Sequence, residues 1–209
     1  MRAAPQDLNR RRSAPRLLLQ AGKVSPGPPA SYPGRVKTHH AATAFAAVPH
    51  DRIFLSSGTL FCAPTSSVII TVLGSCVAVC LWDAHQHVGG MNHYLLPRRM
   101  EELASPRFGD VAIDQLVDGM TELGCRIGSL RAKIFGGAEV LPFGARGDTV
   151  GNQNVRIALE QLRRHGIPIL TRRTGGHNGI LIELYSETGD VAVRRVAATH
   201  LEDGVRSCA

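Results

Sequence analysis

No stretch of this sequence nears the roughly 18–20 continuous apolar residues needed to cross a membrane. Its Arg-rich start runs into only three leucines (Leu17, Leu18 and Leu19), too short for the apolar segment of a secretory signal. A transit-type or simply disordered leader stays open. Cysteine is sparse: the five, Cys62, Cys76, Cys80, Cys125 and Cys208, are odd in number and lack the dense spacing of a disulfide scaffold. That usage fits a reduced, cytoplasmic setting. No internal repeat is visible.

The folded part also lacks net charge. Residues 1–40 hold eight bases and one acid, which accounts for the whole formal charge of +7. The remaining 169 residues balance to zero. A groove built for phosphate backbones leaves a basic imprint on the folded part. The totals give no such imprint, and no nucleic-acid partner is expected. The basicity belongs to a tail.

What is present is enough for one domain with a real core: 209 residues, 44% apolar and 20% charged. Residues 1–50 are rich in Pro, Ala, Arg, Ser and His without a sustained period, and SPGPPASYPG (25–34) reads as linker. The expected organisation is a basic, disordered extension over 1–50, a folded domain over 51–200 and a short tail over 201–209.

Within the domain, short strands are expected near 53–55 and 59–62. VIITVL (68–73) is β-branched and apolar, and CVAVCLWD (76–83) is almost continuously apolar, as in a strand buried on both faces. DAHQH (83–87) is a polar turn, and VGGMNHYLLP (88–97) returns as a strand stopped by Pro97. A helix follows with Asp110 as N-cap and Ile113, Leu116, Val117, Met120 and Leu123 at helical spacing, ending at Gly124. Residues 132–137 form a strand. A second helix covers about 151–165, with Val155, Ala158, Leu159 and Leu162 inward. Strands at 167–174, 181–186 and 191–196 complete the chain, the last two as a hairpin across ETGD. Many strands with two helices that do not alternate strictly predict an α+β fold.

The candidate chemistry starts at TVLGSCVAVCLWD (71–83). Cys76 and Cys80, four apart on one strand, lie about 13 Å apart at roughly 3.3 Å per residue. That is too far for a disulfide or for a shared zinc. His85 and His87 do not supply the missing metal spacing, so no metal is expected. Cys80 reads as a small buried hydrophobe. Cys76 stands where a Gly74-Ser75 turn hands over to a strand. Gly74 allows a backbone conformation closed to other residues, and the exposed N–H groups of the turn can lower a thiol pKa and hold an oxyanion. The plain alternative is a turn with no chemistry.

His93 sits on the strand that returns after the 83–87 turn. Cys76 is seven residues before the turn and His93 six after it, which sets them opposite each other in a hairpin register. A neutral imidazole there takes the thiol proton and frees the nucleophile; the alternative is a core histidine. Thr71, on the preceding strand, is the candidate to orient the ring, or else an ordinary strand residue.

LGSCVAVCLWD (73–83) followed by GGMNHYLLP (89–97) strongly resembles the chemoreceptor glutamine deamidases of bacterial chemotaxis, the CheD family. The likeness continues through FGDVAIDQLVDGM (108–120), AKIFGGAEV (132–140), VGNQNV (150–155), GIPIL (166–170), TGG (174–176) and ETGDVAVRRV (187–196). It implies a layered α/β/β sandwich of mixed sheets with two main helices, similar to the catalytic domain of cytotoxic necrotizing factor toxins. It also implies a cytoplasmic, monomeric enzyme that converts receptor glutamines to glutamate and ammonia through a Cys-His-Thr triad, without a cofactor. The implied site is Cys76, His93 and Thr71, with Gly74 and Ser75 at the oxyanion turn. The implied partners are the helical cytoplasmic domain of chemoreceptors and, in many members, a chemotaxis phosphatase. Departures from the family pattern are GGHNG (175–179), which lacks the usual basic residue, and Ile70, where some members place the threonine. Rival readings are a non-catalytic chemotaxis module and a cysteine amidase or esterase acting on another protein.

Overall fold

A computed structural model describes residues 51–99, 104–139 and 148–196. The expected 1–50 extension and 201–209 tail lie outside the described residues. The chain runs β1 (Asp51–Phe54), β2 (Thr59–Cys62), β3 (Ser67–Leu73), β4 (Val77–Asp83), β5 (Val88–His93), α1 (Gly109–Glu122), β6 (Leu130–Gly136), α2 (Val150–Arg164), β7 (Ile169–Thr174), β8 (Ile180–Tyr185) and β9 (Val191–Arg195). The fold is α+β, as composition and element order predict.

The strands form two mixed sheets. One has the order β1-β3-β8-β9, the other β2-β5-β4-β6-β7. β4 lies in the middle of the five-stranded sheet, which explains its near-continuous apolar sequence: both faces are covered. Val77, Val79 and Leu81 face one way and pack with Ile113, Leu116 and Met120 of α1 and with Ala158 and Leu162 of α2. Ala78 and Cys80 face the other way and meet Ile69, Leu73, Ile182 and Leu184 of the second sheet. The result is helices on sheet on sheet, with two apolar layers. Full burial of a side chain such as Leu81, Leu116 or Ile134 contributes about 1.5–3 kcal/mol.

Two expectations about element ends are corrected. The N-cap of α1 is Phe108, without a side-chain cap, and Asp110 lies inside the first turn. Gly109, the first helical residue, packs on Tyr94, where a Cβ would come within 2.6 Å of the ring. The strand expected to run to Pro97 ends at His93. Beyond it the N–H groups of Leu95 and Leu96 both turn to the carbonyl of Arg107, at 3.0 and 3.1 Å. No described helix is long and apolar enough to cross a membrane.

Candidate active site

Three elements meet at one edge of the inter-sheet layer. Thr71 lies on β3 between the inward-facing Ile69 and Leu73, and is 3% exposed. His93 is the last residue of β5 and shares the face of Met91, because alternate strand residues point the same way. Cys76 directly precedes β4 and packs against the same layer as Ala78 and Cys80. The three side chains named from the sequence thus lie on one face of this layer.

The register differs from the expected one by two residues. Cys80 pairs with Met91, and Val77 bridges Tyr94, so His93 stands opposite Ala78 and Cys76 falls opposite Leu95. A slip of two preserves the face. Cys76 and His93 are thus diagonal neighbours, within reach of a long side chain such as histidine.

The orientation of the imidazole follows from one hydroxyl. Thr71 Oγ1 lies 2.8 Å from the Leu55 carbonyl oxygen and 2.8 Å from His93 Nδ1. A carbonyl only accepts, and a threonine hydroxyl has one hydrogen to give. That hydrogen goes to Leu55, so Thr71 must accept from His93 Nδ1–H. Nε2 then carries the lone pair, and it is the buried ring nitrogen with no partner. The assignment comes from the hydrogen-bond network, which is the means of fixing a tautomer when hydrogens are not seen.

Burial shapes both titrations. It pushes the His93 pKa down to about 4, against an opposing contribution from the Leu55 carbonyl. It pushes the Cys76 thiol up, only partly offset by the residue's own amide. The turn does lower the thiol pKa through the Cys76 amide, as expected, but desolvation outweighs it. At neutral pH the resting pair is a neutral thiol beside a neutral imidazole. Deprotonation has to accompany attack. Cys80, buried between the sheets, is pushed up to about 12 and has the inert character expected of it.

The turn carrying Cys76 is braced from the far side. Gly137 N–H donates to the Cys76 carbonyl at 2.8 Å and Ala138 N–H to the Gly74 carbonyl at 2.8 Å. Positive φ is needed at Gly136 (101°) and not at Gly74, contrary to expectation. A Cβ on Gly136 would come within 2.2 Å of the Cys76 carbonyl oxygen. Among the described residues, the N–H groups of Gly74, Ser75 and Cys76 donate to no backbone carbonyl. Successive main-chain amides that meet no backbone carbonyl are the kind of donor that can hold an anionic oxygen.

Two contributors were missed from sequence. The Leu55 carbonyl is main chain, and no residue-type pattern signals it. Asn154 of α2 is fully buried and donates from Nδ2 to the carbonyls of Ser75 (3.1 Å) and Leu95 (2.9 Å). Its signal was a polar residue at helical spacing between Gly151 and Ala158 on the inner face. A surface cavity of about 560 Å³ lies elsewhere, at the opposite end of β4, lined by Asp83, His85, Gln86, Arg126, Ser129 and Arg131 among others. The described residues hold no cluster of three metal-type ligands.

A family model described as CheD chemotactic sensory transduction matches residues 95–195. A Rhodospirillum rubrum protein named "Probable chemoreceptor glutamine deamidase CheD" is 58% identical over 143 residues, covering 68% of this chain and 81% of that protein. The chain belongs to the CheD family. A CheD relative of the same name from Sulfurimonas denitrificans is 43% identical over 152 residues, or 72% of this chain and 97% of the relative. Another, from Anaeromyxobacter dehalogenans and named CheD 1, is 43% identical over 145 residues, or 69% and 85%. The CheD model match spans the braces, Gly136, Gly137 and Asn154, while Thr71, Cys76 and His93 precede it.

Proposed function

We propose that this chain is a chemoreceptor glutamine deamidase in which Cys76 is the nucleophile, His93 the general base and acid, and Thr71 the group that orients the imidazole. The observation that carries the reading is the Leu55–Thr71–His93 chain, which leaves Nε2 as an unpartnered base on the face it shares with Cys76. Membership of the CheD family, whose members carry the name chemoreceptor glutamine deamidase, supports chemoreceptor glutamines as the substrate; on this reading they lie on the receptors' cytoplasmic helical domain.

The chemistry balances without a further reactant. As Cys76 Sγ attacks the carboxamide carbon, Nε2 takes the thiol proton, and the developing oxyanion is held by the N–H groups of the Gly74–Ser75–Cys76 turn. The imidazolium then gives its proton to the departing nitrogen, releasing ammonia and leaving a thioester. Water, deprotonated by Nε2, attacks the thioester; glutamate leaves and the thiol regains its proton. On this reading residues 51–200 are the deamidase domain, working as a monomer in the cytoplasm. The helix-on-sheet-on-sheet order supports a fold likeness to the catalytic domain of cytotoxic necrotizing factor toxins.

The test uses purified protein and its Cys76→Ala variant with a chemoreceptor cytoplasmic domain from the same cell. Ammonia release and the glutamine-to-glutamate mass change are read together. The wild type is expected to turn over and the variant to fall at least about 1,000-fold, the scale for loss of a nucleophile. Equal rates, or no conversion by the wild type, would sink the reading.

A further inference from the structure

We propose that Asn154 is a positioning residue that holds the Cys76 turn and the end of β5 at their working separation. The inference rests on the Cys76–His93 reading above.

The ladder between β4 and β5 stops at the Val77–Tyr94 bridge. One residue further, where Cys76 faces Leu95, the strands part, because Leu95 N–H has turned to the Arg107 carbonyl. The carboxamide of Asn154 occupies that fork. One Nδ2 hydrogen goes to the Ser75 carbonyl, immediately before the nucleophile, and the other to the Leu95 carbonyl, two residues after the base. Tyr94, the residue after His93, returns a hydrogen bond from its hydroxyl to the Asn154 carbonyl at 2.7 Å. A single residue thus grips the flanks of both reacting groups. Its amide orientation is fixed, since two carbonyls can only face the nitrogen.

The same residue also carries a cost. Asn154 Oδ1 is buried without a partner. Desolvating that oxygen offsets much of what two neutral hydrogen bonds contribute. A leucine would remove that orphaned oxygen and suit this helix face beside Ala158 and Leu162, but it would take away the donor to two carbonyls. What leucine lacks is any grip on the Ser75 and Leu95 carbonyls. The helix that presents Asn154 packs tightly on the loop that braces the Cys76 turn: Gly151 abuts Gly137, where a Cβ would come within 2.6 Å of the Gly137 oxygen.

The test compares wild type, Asn154→Ala, Asn154→Asp and His93→Ala. The aspartate variant keeps the shape but sets an acceptor against one or both carbonyls. Two readouts are taken: kcat and KM on receptor domain, and the pH profile of iodoacetamide alkylation at Cys76, resolved by peptide mass spectrometry. A positioning role predicts kcat down about 10–100-fold with KM within about threefold, because a misplacement near 1 Å costs on that scale. The Cys76 alkylation profile should shift towards that of His93→Ala. Folded variants with kcat and alkylation within twofold of wild type overturn the proposal. So does activity lost only in proportion to the unfolded fraction, or failure of both Asn154 variants to fold, since each marks a purely structural residue. If wild type and His93→Ala alkylate alike, the Cys76–His93 reading itself has failed, which is a separate result.

Discussion

At one end of β4, Asp83 is buried with its carboxylate engaged; at the other, Cys76 closes a turn whose amides, among the described residues, donate to no backbone carbonyl. Burial alone would push the Asp83 carboxyl up. The Ser129 hydroxyl and the N–H groups of His85 and Gln86 hold it below its ordinary value instead. At the Cys76 end burial prevails, raising the thiol and depressing His93, and Nε2 is left without a partner. The same strand pair is thus saturated with hydrogen bonds where it turns and unsaturated where it opens. Polar groups with all partners met hold a fold together. Groups desolvated but unpaired are poised to bind or exchange a proton.

The contrast predicts that mutations at the two ends separate stability from rate. The largest effect is expected for Asp83→Ala. It should lower unfolding free energy by about 3 kcal/mol, the scale for hydrogen bonds to a buried charge, as read by urea denaturation, while kcat per folded molecule stays within twofold. A fall in kcat would mean that the ends are coupled. Next comes Thr71→Val, which removes the acceptor for Nδ1–H at nearly constant volume. The tautomer is then no longer held, and kcat should fall by about 10–100-fold, roughly 1.4–2.7 kcal/mol, with a thermal midpoint within a few degrees of wild type. Unchanged turnover would remove Thr71 from the relay.

The last effect, comparable in size, is pH-dependent. His93 titrates near 6.5 when unfolded and near 4 when folded. Between those values the unfolded chain holds more protons, so the native state is at full stability above about pH 6.5 and weakens as pH falls towards 4. A loss on the order of 2 kcal/mol is expected from pH 7 to 4.5. It should appear in urea midpoints and be largely absent from His93→Gln. Because the base stays neutral, kcat/KM should be nearly level down to about pH 5. An acid limb centred near 6.5 would contradict the burial argument.

Much of the site was legible because it is local. Gly74-Ser75-Cys76, a short polar turn and His93 define a hairpin, and hairpin alternation alone puts thiol and imidazole on one face. The register was two residues off because counting from the turn ignores how it closes: His87 adopts positive φ and Asp83 already pairs with Val88. Strand period protected the conclusion from the error. The cap of α1 was misjudged because Asp110 looks like a cap, whereas the contact of Gly109 with Tyr94 is tertiary. Asn154 was overlooked for the same reason: on its own helix it is a polar residue among apolar ones, and its meaning lies in two carbonyls from distant strands. The Leu55 carbonyl was out of reach of any reading of side chains.

That last contact has an evolutionary corollary. The direction in which Thr71 points its hydrogen is dictated by a peptide oxygen, which every amino acid supplies alike. Position 55 is therefore free to drift through any residue that fits the layer without altering the polarity of the relay. A one-residue insertion or deletion between β1 and β2 is a different matter: by moving the oxygen away from Thr71 it would free the hydroxyl to donate to Nδ1, shift the ring proton to Nε2, and leave the thiol facing a donor.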